Sequence, residues 1–168
     1  MMKIIRTALT SAAIVCMASP AFAEPKVKAT HGDWIVYERS VGGDTVCYAL
    51  SPAQTLSPSN VDHGKVYFMV SNWKSGAANE QPSFLAGYPL KTTRAPKAAI
   101  GSTSVNMYGA KNEAFIQESA DERRLVSKMR AGATMTVSAV SARGTETRYQ
   151  FSLKGITAAL KTAKANCG

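Results

Sequence analysis

The stretch Thr145-Glu146-Thr147-Arg148-Tyr149-Gln150-Phe151-Ser152-Leu153 decides the fold class. Thr147, Tyr149, Phe151 and Leu153 fall on one side of an extended chain, while Glu146, Arg148, Gln150 and Ser152 fall on the other. A period of two with one apolar side is the signature of a strand that buries one face and wets the other. Just upstream, Thr134 to Ser141 alternates in the same way through Met135, Val137 and Ala139. Arg143-Gly144 between the two runs supplies a short turn with glycine where a positive φ is expected. The pair therefore reads as a β-hairpin.

Working outward, Lys65 to Ser71 contains Val66-Tyr67-Phe68-Met69-Val70. This run is apolar on both sides, which predicts a central strand covered on both faces. Shorter strands are expected over Trp34–Val41, Thr45–Leu50, Ser83–Tyr88, Lys97–Ile100, Thr103–Tyr108 and Glu113–Gln117, separated by glycines and prolines. Two helices interrupt the pattern. In the first, Ser119 and Glu122 form a capping box, Asp121 and Glu122 sit at the positive end, and Lys128 and Arg130 sit at the negative end. Leu125, Val126 and Met129 make its apolar stripe, and Gly132 stops it. The second runs from about Ile156 to Ala165, with Cys167 just beyond its end. The fold class is mostly β: a single-domain antiparallel β-sandwich-like fold with two short helices.

The N-terminus carries a different instruction. Lys3 and Arg6, an apolar run from Ala8 to Ala18, and Ala21-Phe22-Ala23 make the three parts of a cleavable secretory signal, residues 1–23. The run is too short and too interrupted for an uncleaved span. Cys16 lacks the small preceding residue of a lipidation site. The domain is then residues 24–168, with a periplasmic or cell-surface destination and no transmembrane segment after cleavage. Its formal charge falls from +9 to +7, because of the charged residues only Lys3 and Arg6 leave with the signal. An exported cation meets lipid head groups, lipopolysaccharide and cell-wall polymers rather than nucleic acid, though a charge of this size also serves solubility. Cys47 and Cys167, the two cysteines left in an oxidising compartment, are expected to pair.

No catalytic constellation is legible. Two histidines, His31 and His63, with no H-E-x-x-H and no cysteine pair at metal spacing, argue against a metal site, and no cofactor motif is present. Ser71-Asn72-Trp73-Lys74 matches S-x-x-K, but it ends a β run and lacks the partner motifs of serine acylases. Glu113, Glu118, Asp121 and Glu122 are accounted for by helix capping and a solvated strand edge. Trp34 reads as core. The candidate binding surface is the segment containing Trp73, Lys74, Tyr88 and Lys91, with Arg94 just beyond, where aromatic area and charge share a loop-rich stretch.

Several pieces of the chain, in order, resemble the invasion-associated locus B family of exported bacterial proteins. They are Gly32-Asp33-Trp34, Val46-Cys47-Tyr48-Ala49, Val66 to Ser71, Asn79-Glu80 and Gly87 to Lys91, then Leu125 to Met129 with Ala131-Gly132, Arg143-Gly144-Thr145, and Ser152 to Leu160. The resemblance implies a β-sandwich-like domain, a periplasmic or surface location and a namesake link to host-cell invasion, and it implies no catalytic residue. Some relatives carry further cysteines after the tryptophan and mid-chain; this sequence has Tyr37-Glu38 and none mid-chain. The expected function is a non-enzymatic envelope or surface protein that binds an envelope component or a host-surface protein, an anionic one being favoured by the charge. The alternative is a periplasmic hydrolase-like enzyme whose site the sequence does not reveal.

Overall fold

Each strand of the C-terminal hairpin has one face for a core. In a computed structural model of the protein, which describes residues 24–168, that hairpin sits at the centre of the smaller of two sheets. The expected signal segment, 1–23, lies outside the described residues. In chain order the elements are β1 (Lys26–His31), β2 (Trp34–Val41), β3 (Asp44–Pro52), β4 (Thr55–Ser57), β5 (Tyr67–Trp73), β6 (Gln81–Leu85), β7 (Lys97–Ile100), β8 (Thr103–Asn106), β9 (Tyr108–Ala110), β10 (Glu113–Phe115), α1 (Ser119–Ala131), β11 (Thr134–Val140), β12 (Glu146–Ser152) and α2 (Ile156–Cys167). Seven strands form one sheet in the order β1-β2-β3-β5-β6-β10-β9, and five form the other, β4-β12-β11-β7-β8. The pairings within both sheets are antiparallel.

β11 and β12 pair from Thr134↔Ser152 to Val140↔Glu146, and Gly144 in the turn has φ +92°, the left-handed conformation expected there. Thr147, Tyr149 and Phe151 are buried, as the alternation requires. They meet Phe68 and Phe84 of the larger sheet: Phe68 and Phe151 have ring centroids 5.8 Å apart, and Phe84 and Tyr149 5.6 Å. Trp34 is fully buried, and its indole Nε1 donates to the Ser152 carbonyl at 2.9 Å.

Five strands cannot cover seven, and the helices complete the core. α2 lies against β1, β2, β3 and β5 through Ile156, Ala159, Leu160 and Ala163, all buried. α1 closes the other side against β6, β7 and β8 through Leu125, Val126 and Met129. Gly155, just before α2, has φ +92°, and a Cβ there would fall 2.0 Å from the His31 carbonyl oxygen, so only glycine fits.

Some details of the sequence reading are corrected. The capping box does not form: Glu118 is the cap residue of α1, without a side-chain cap bond, and Ser119 is already helical. Cys167 is the last residue of α2 rather than beyond it. β5 is central, fourth of seven, but starts at Tyr67 and is covered on one face only: Phe68 and Val70 are buried, while Tyr67 and Met69 are half-exposed. β1 and β4 were not expected: β4 has three residues, all exposed, and β1 alternates only through Val27 and Ala29, with Val27 exposed, too weak a pattern to mark a strand.

Candidate functional site

The two outward faces of the sandwich differ in chemistry. On the five-stranded sheet, the residues alternating with the core positions of β12, β11 and β7 are polar except for Val140 and Ala99. One row across the strands runs Ser57, Arg148, Ser138, Lys97 and Asn106, set by the pairings Arg148↔Ser57, Arg148↔Ser138, Ser138↔Lys97 and Lys97↔Asn106. Arg148 and Lys97 are two strand spacings apart, about 10 Å. Arg94 approaches the same place through an exposed ion pair with Glu146 at 3.5 Å. Arg94, Lys97 and Arg148 thus line one shallow groove of about 410 Å³, with Glu146 as its acid. Lys91 stands at its end, where its backbone N–H donates to the Val140 carbonyl.

Tyr88 lies on this side of the molecule but is an anchor. Its hydroxyl is 2.7 Å from both Thr147 Oγ1 and the Tyr149 hydroxyl. His63 extends the network: Nε2–H donates to the Pro58 carbonyl at 2.8 Å, which in the neutral ring leaves Nδ1 to accept from the Tyr149 hydroxyl, also at 2.8 Å. Burial, reinforced by the Tyr88 hydrogen bond, pushes the Tyr149 hydroxyl far above the usual phenol range. The network pins the segment before β5 and the segment after β6 onto β12.

Trp73 and Lys74 lie elsewhere. Because β6 runs antiparallel to β5, with Ser71↔Gln81 and Tyr67↔Leu85, the chain after β6 returns to the start of β5. Trp73 is the last residue of β5, six residues along, or about 20 Å at strand rise. The structure brings together Lys91, Arg94 and the anchored Tyr88, and it separates Trp73 and Lys74 from them. The five do not form one patch. Sequence reasoning missed Lys97 and Arg148, although their place opposite buried alternation partners was readable once β7 was registered beside β11.

Trp73 belongs to the outward face of the seven-stranded sheet. The register there builds four rows: Pro52–Tyr67–Leu85–Glu113; Ile35–Leu50–Met69–Ser83–Phe115; Tyr37–Tyr48–Ser71–Gln81; and Arg39–Val46–Trp73. Tyr37 and Tyr48 are stacked with centroids 5.4 Å apart. Burial pushes the Tyr48 hydroxyl up, and the Arg39 charge opposes that. The helices pack on the inner face or its borders, leaving most of these side chains half-exposed.

Ser71 lies inside β5 rather than opening a helix, so the serine-acylase geometry is not assembled. Of the acids, Asp121 is paired with Arg124 at 3.1 Å, and burial pushes Glu122 up. Among the described residues, no group of three or more His, Cys, Asp or Glu is placed to hold a metal ion, and no helix is long and apolar enough to cross a membrane. Cys47 on β3 and Cys167 at the end of α2 lie at disulfide-bonding distance, with Cα atoms 5.6 Å apart and Sγ atoms 2.04 Å apart.

These elements define a two-sheet antiparallel sandwich with its core completed by two helices. The family model described as Invasion associated locus B (IalB) protein matches residues 110–164, from the end of β9 through most of α2. The crystal structure of invasion associated protein b from Bartonella henselae has the same fold, with a TM-score of 0.56 at 13% sequence identity over 85% of this chain and 96% of that one. No curated protein matches the chain. The sequence match over residues 110–164 is to the family that the sequence resembles, and the likeness of structure shows the fold.

Proposed function

We propose that the chain is an exported envelope or surface protein that works by binding rather than catalysis, and that it binds an anionic envelope component through the outward face of the five-stranded sheet. The observation that carries this reading is the convergence of Arg94, Lys97 and Arg148 on one shallow groove. Three cations held against a single acid, Glu146, leave an excess of positive charge, which suits phosphate or carboxylate groups on a polymer or head group. The formal charge of +7 on residues 24–168 draws the same partners at longer range. Export is supported by the three-part N-terminal signal and by the likeness to a family of exported proteins over residues 110–164. The name of the family makes a contribution to host-cell invasion part of the same proposal.

Vesicles carrying lipopolysaccharide provide the test. The double variant Lys97→Glu, Arg148→Glu should bind them at least about tenfold more weakly, since each reversed contact contributes a sizeable part of 1.4 kcal/mol. Lys74→Glu, just past the end of β5 on the other sheet, should bind as the unaltered protein does. Equal binding by the double variant ends the proposal.

A further inference from the structure

The outward face of the larger sheet is built unlike a solvated surface. Sheets that face water on one side normally alternate apolar-in with polar-out, yet here Ile35, Leu50 and Met69 form a continuous apolar row outside, flanked by the Tyr37–Tyr48 stack and Trp73. Aromatic residues, methionine and arginine enriched, with other charges depleted, is the composition of the centre of a protein–protein interface. Across the four rows from β2 to β10 the charged side chains are Arg39 and Glu113. Neither has an ion-pair partner among the described residues. The Nε of Arg39 is buried and makes no hydrogen bond, an expense that a folded protein ordinarily avoids.

Those two charges occupy opposite corners. Arg39 is on β2 in the last row and Glu113 on β10 in the first, four strands and three rows apart. At standard spacings that is about 19 Å across the strands and about 20 Å along them. The midpoint falls on β5 between Met69 and Ser71, the centre of the apolar area. We propose that this face is covered by a second copy of the chain. A two-fold axis in the interface plane, running along the other diagonal through that midpoint, lays Arg39 of each copy against Glu113 of the other. Because the two extents are nearly equal, the strands of the copies cross near a right angle, one of the two orientations in which sheets pack. The four rows cover on the order of 400 Å² in plan, and β1 and β9 at the flanks bring the patch toward the roughly 800 Å² per partner of a standard interface. The charge pattern separates this occupant from an anionic partner: the four rows carry one charge of each sign, Arg39 and Glu113, with no excess of cations, and on the flanking β1 Lys28 is already paired with Glu38.

Sedimentation equilibrium of the purified protein at micromolar concentrations reads the outcome. The unaltered protein should be a dimer. Arg39→Glu and Glu113→Arg should each weaken dimerisation about tenfold or more, and the two together should restore it, because the pair is then exchanged rather than lost. Met69→Lys, at the centre of the face, should give a monomer with an unchanged circular dichroism spectrum. A monomer at all concentrations overturns the inference. So does a dimer indifferent to both reversals, or a monomer whose vesicle binding is lost with Arg39→Glu, which would give this face to lipid. None of these outcomes depends on the groove on the opposite sheet, whose own variants, Lys97→Glu and Arg148→Glu, should leave the dimer intact.

Discussion

Reducing the Cys47–Cys167 pair perturbs the chain without removing a side chain. The two residues are 120 apart in sequence, and in the chain-entropy model closing a loop of that length lowers the entropy of the unfolded chain enough to stabilise the fold by about 5 kcal/mol. The native side should change little, because α2 remains docked by Ile156, Ala159, Leu160 and Ala163, all buried against the larger sheet. The effect therefore falls almost wholly on the unfolded chain. Urea unfolding with and without a reductant measures it, and Trp34, buried and hydrogen-bonded to Ser152, makes tryptophan fluorescence a reporter of the core. With a denaturant slope of about 2 kcal/mol per molar for a domain of this size, the midpoint should fall by about 2.5 M. A fall of less than about 0.5 M would refute the reasoning, showing either that the thiols do not pair or that the unfolded chain is not constrained by them.

Two further outcomes follow from close contacts in the structure. Gly155→Ala should cost about 3 kcal/mol or more in urea unfolding, since the new Cβ needs both a positive φ and space now held by the His31 carbonyl; an unchanged midpoint would contradict it. Tyr149, whose hydroxyl ionises far less readily folded than unfolded, stabilises the fold below the ordinary phenol value and loses that contribution as pH rises above about 10. The urea midpoint should fall between pH 9 and 11, and Tyr149→Phe should flatten that fall while lowering the midpoint at neutral pH, where the Tyr88 and His63 hydrogen bonds are lost.

The parts of the fold legible in the sequence are those where one side of an element is buried and the other is wet. β11 and β12 alternate cleanly, and the stripes of α1 and α2 match their buried residues. β1 and β4 escaped notice because sheet edges bury too little to impose a pattern. β5 differs from its reading for an instructive reason: apolarity on both sides of a strand signals cover on each face, and within a single chain the outer apolar side is open, the side that the second copy proposed above would cover. The candidate site failed on geometry rather than residue type. Trp73 and Tyr88 are fifteen positions apart in a hairpin-connected segment, but the antiparallel return of β6 puts them at opposite ends of the sheet. Sequence proximity grouped residues that strand direction separates, and it missed Lys97 and Arg148, which only cross-strand register brings beside Arg94.

The central claim is that the groove of Arg94, Lys97 and Arg148 holds an anionic envelope partner by charge. Its most direct measurement is the affinity of the protein for lipopolysaccharide vesicles across a series of salt concentrations. Affinity should fall steadily as the Debye length shrinks from about 30 Å at 0.01 M salt to about 8 Å at physiological strength, and the Lys97→Glu, Arg148→Glu variant should show a weaker, flatter dependence. Binding that holds constant across the series, or that falls equally in protein and variant, would contradict the account.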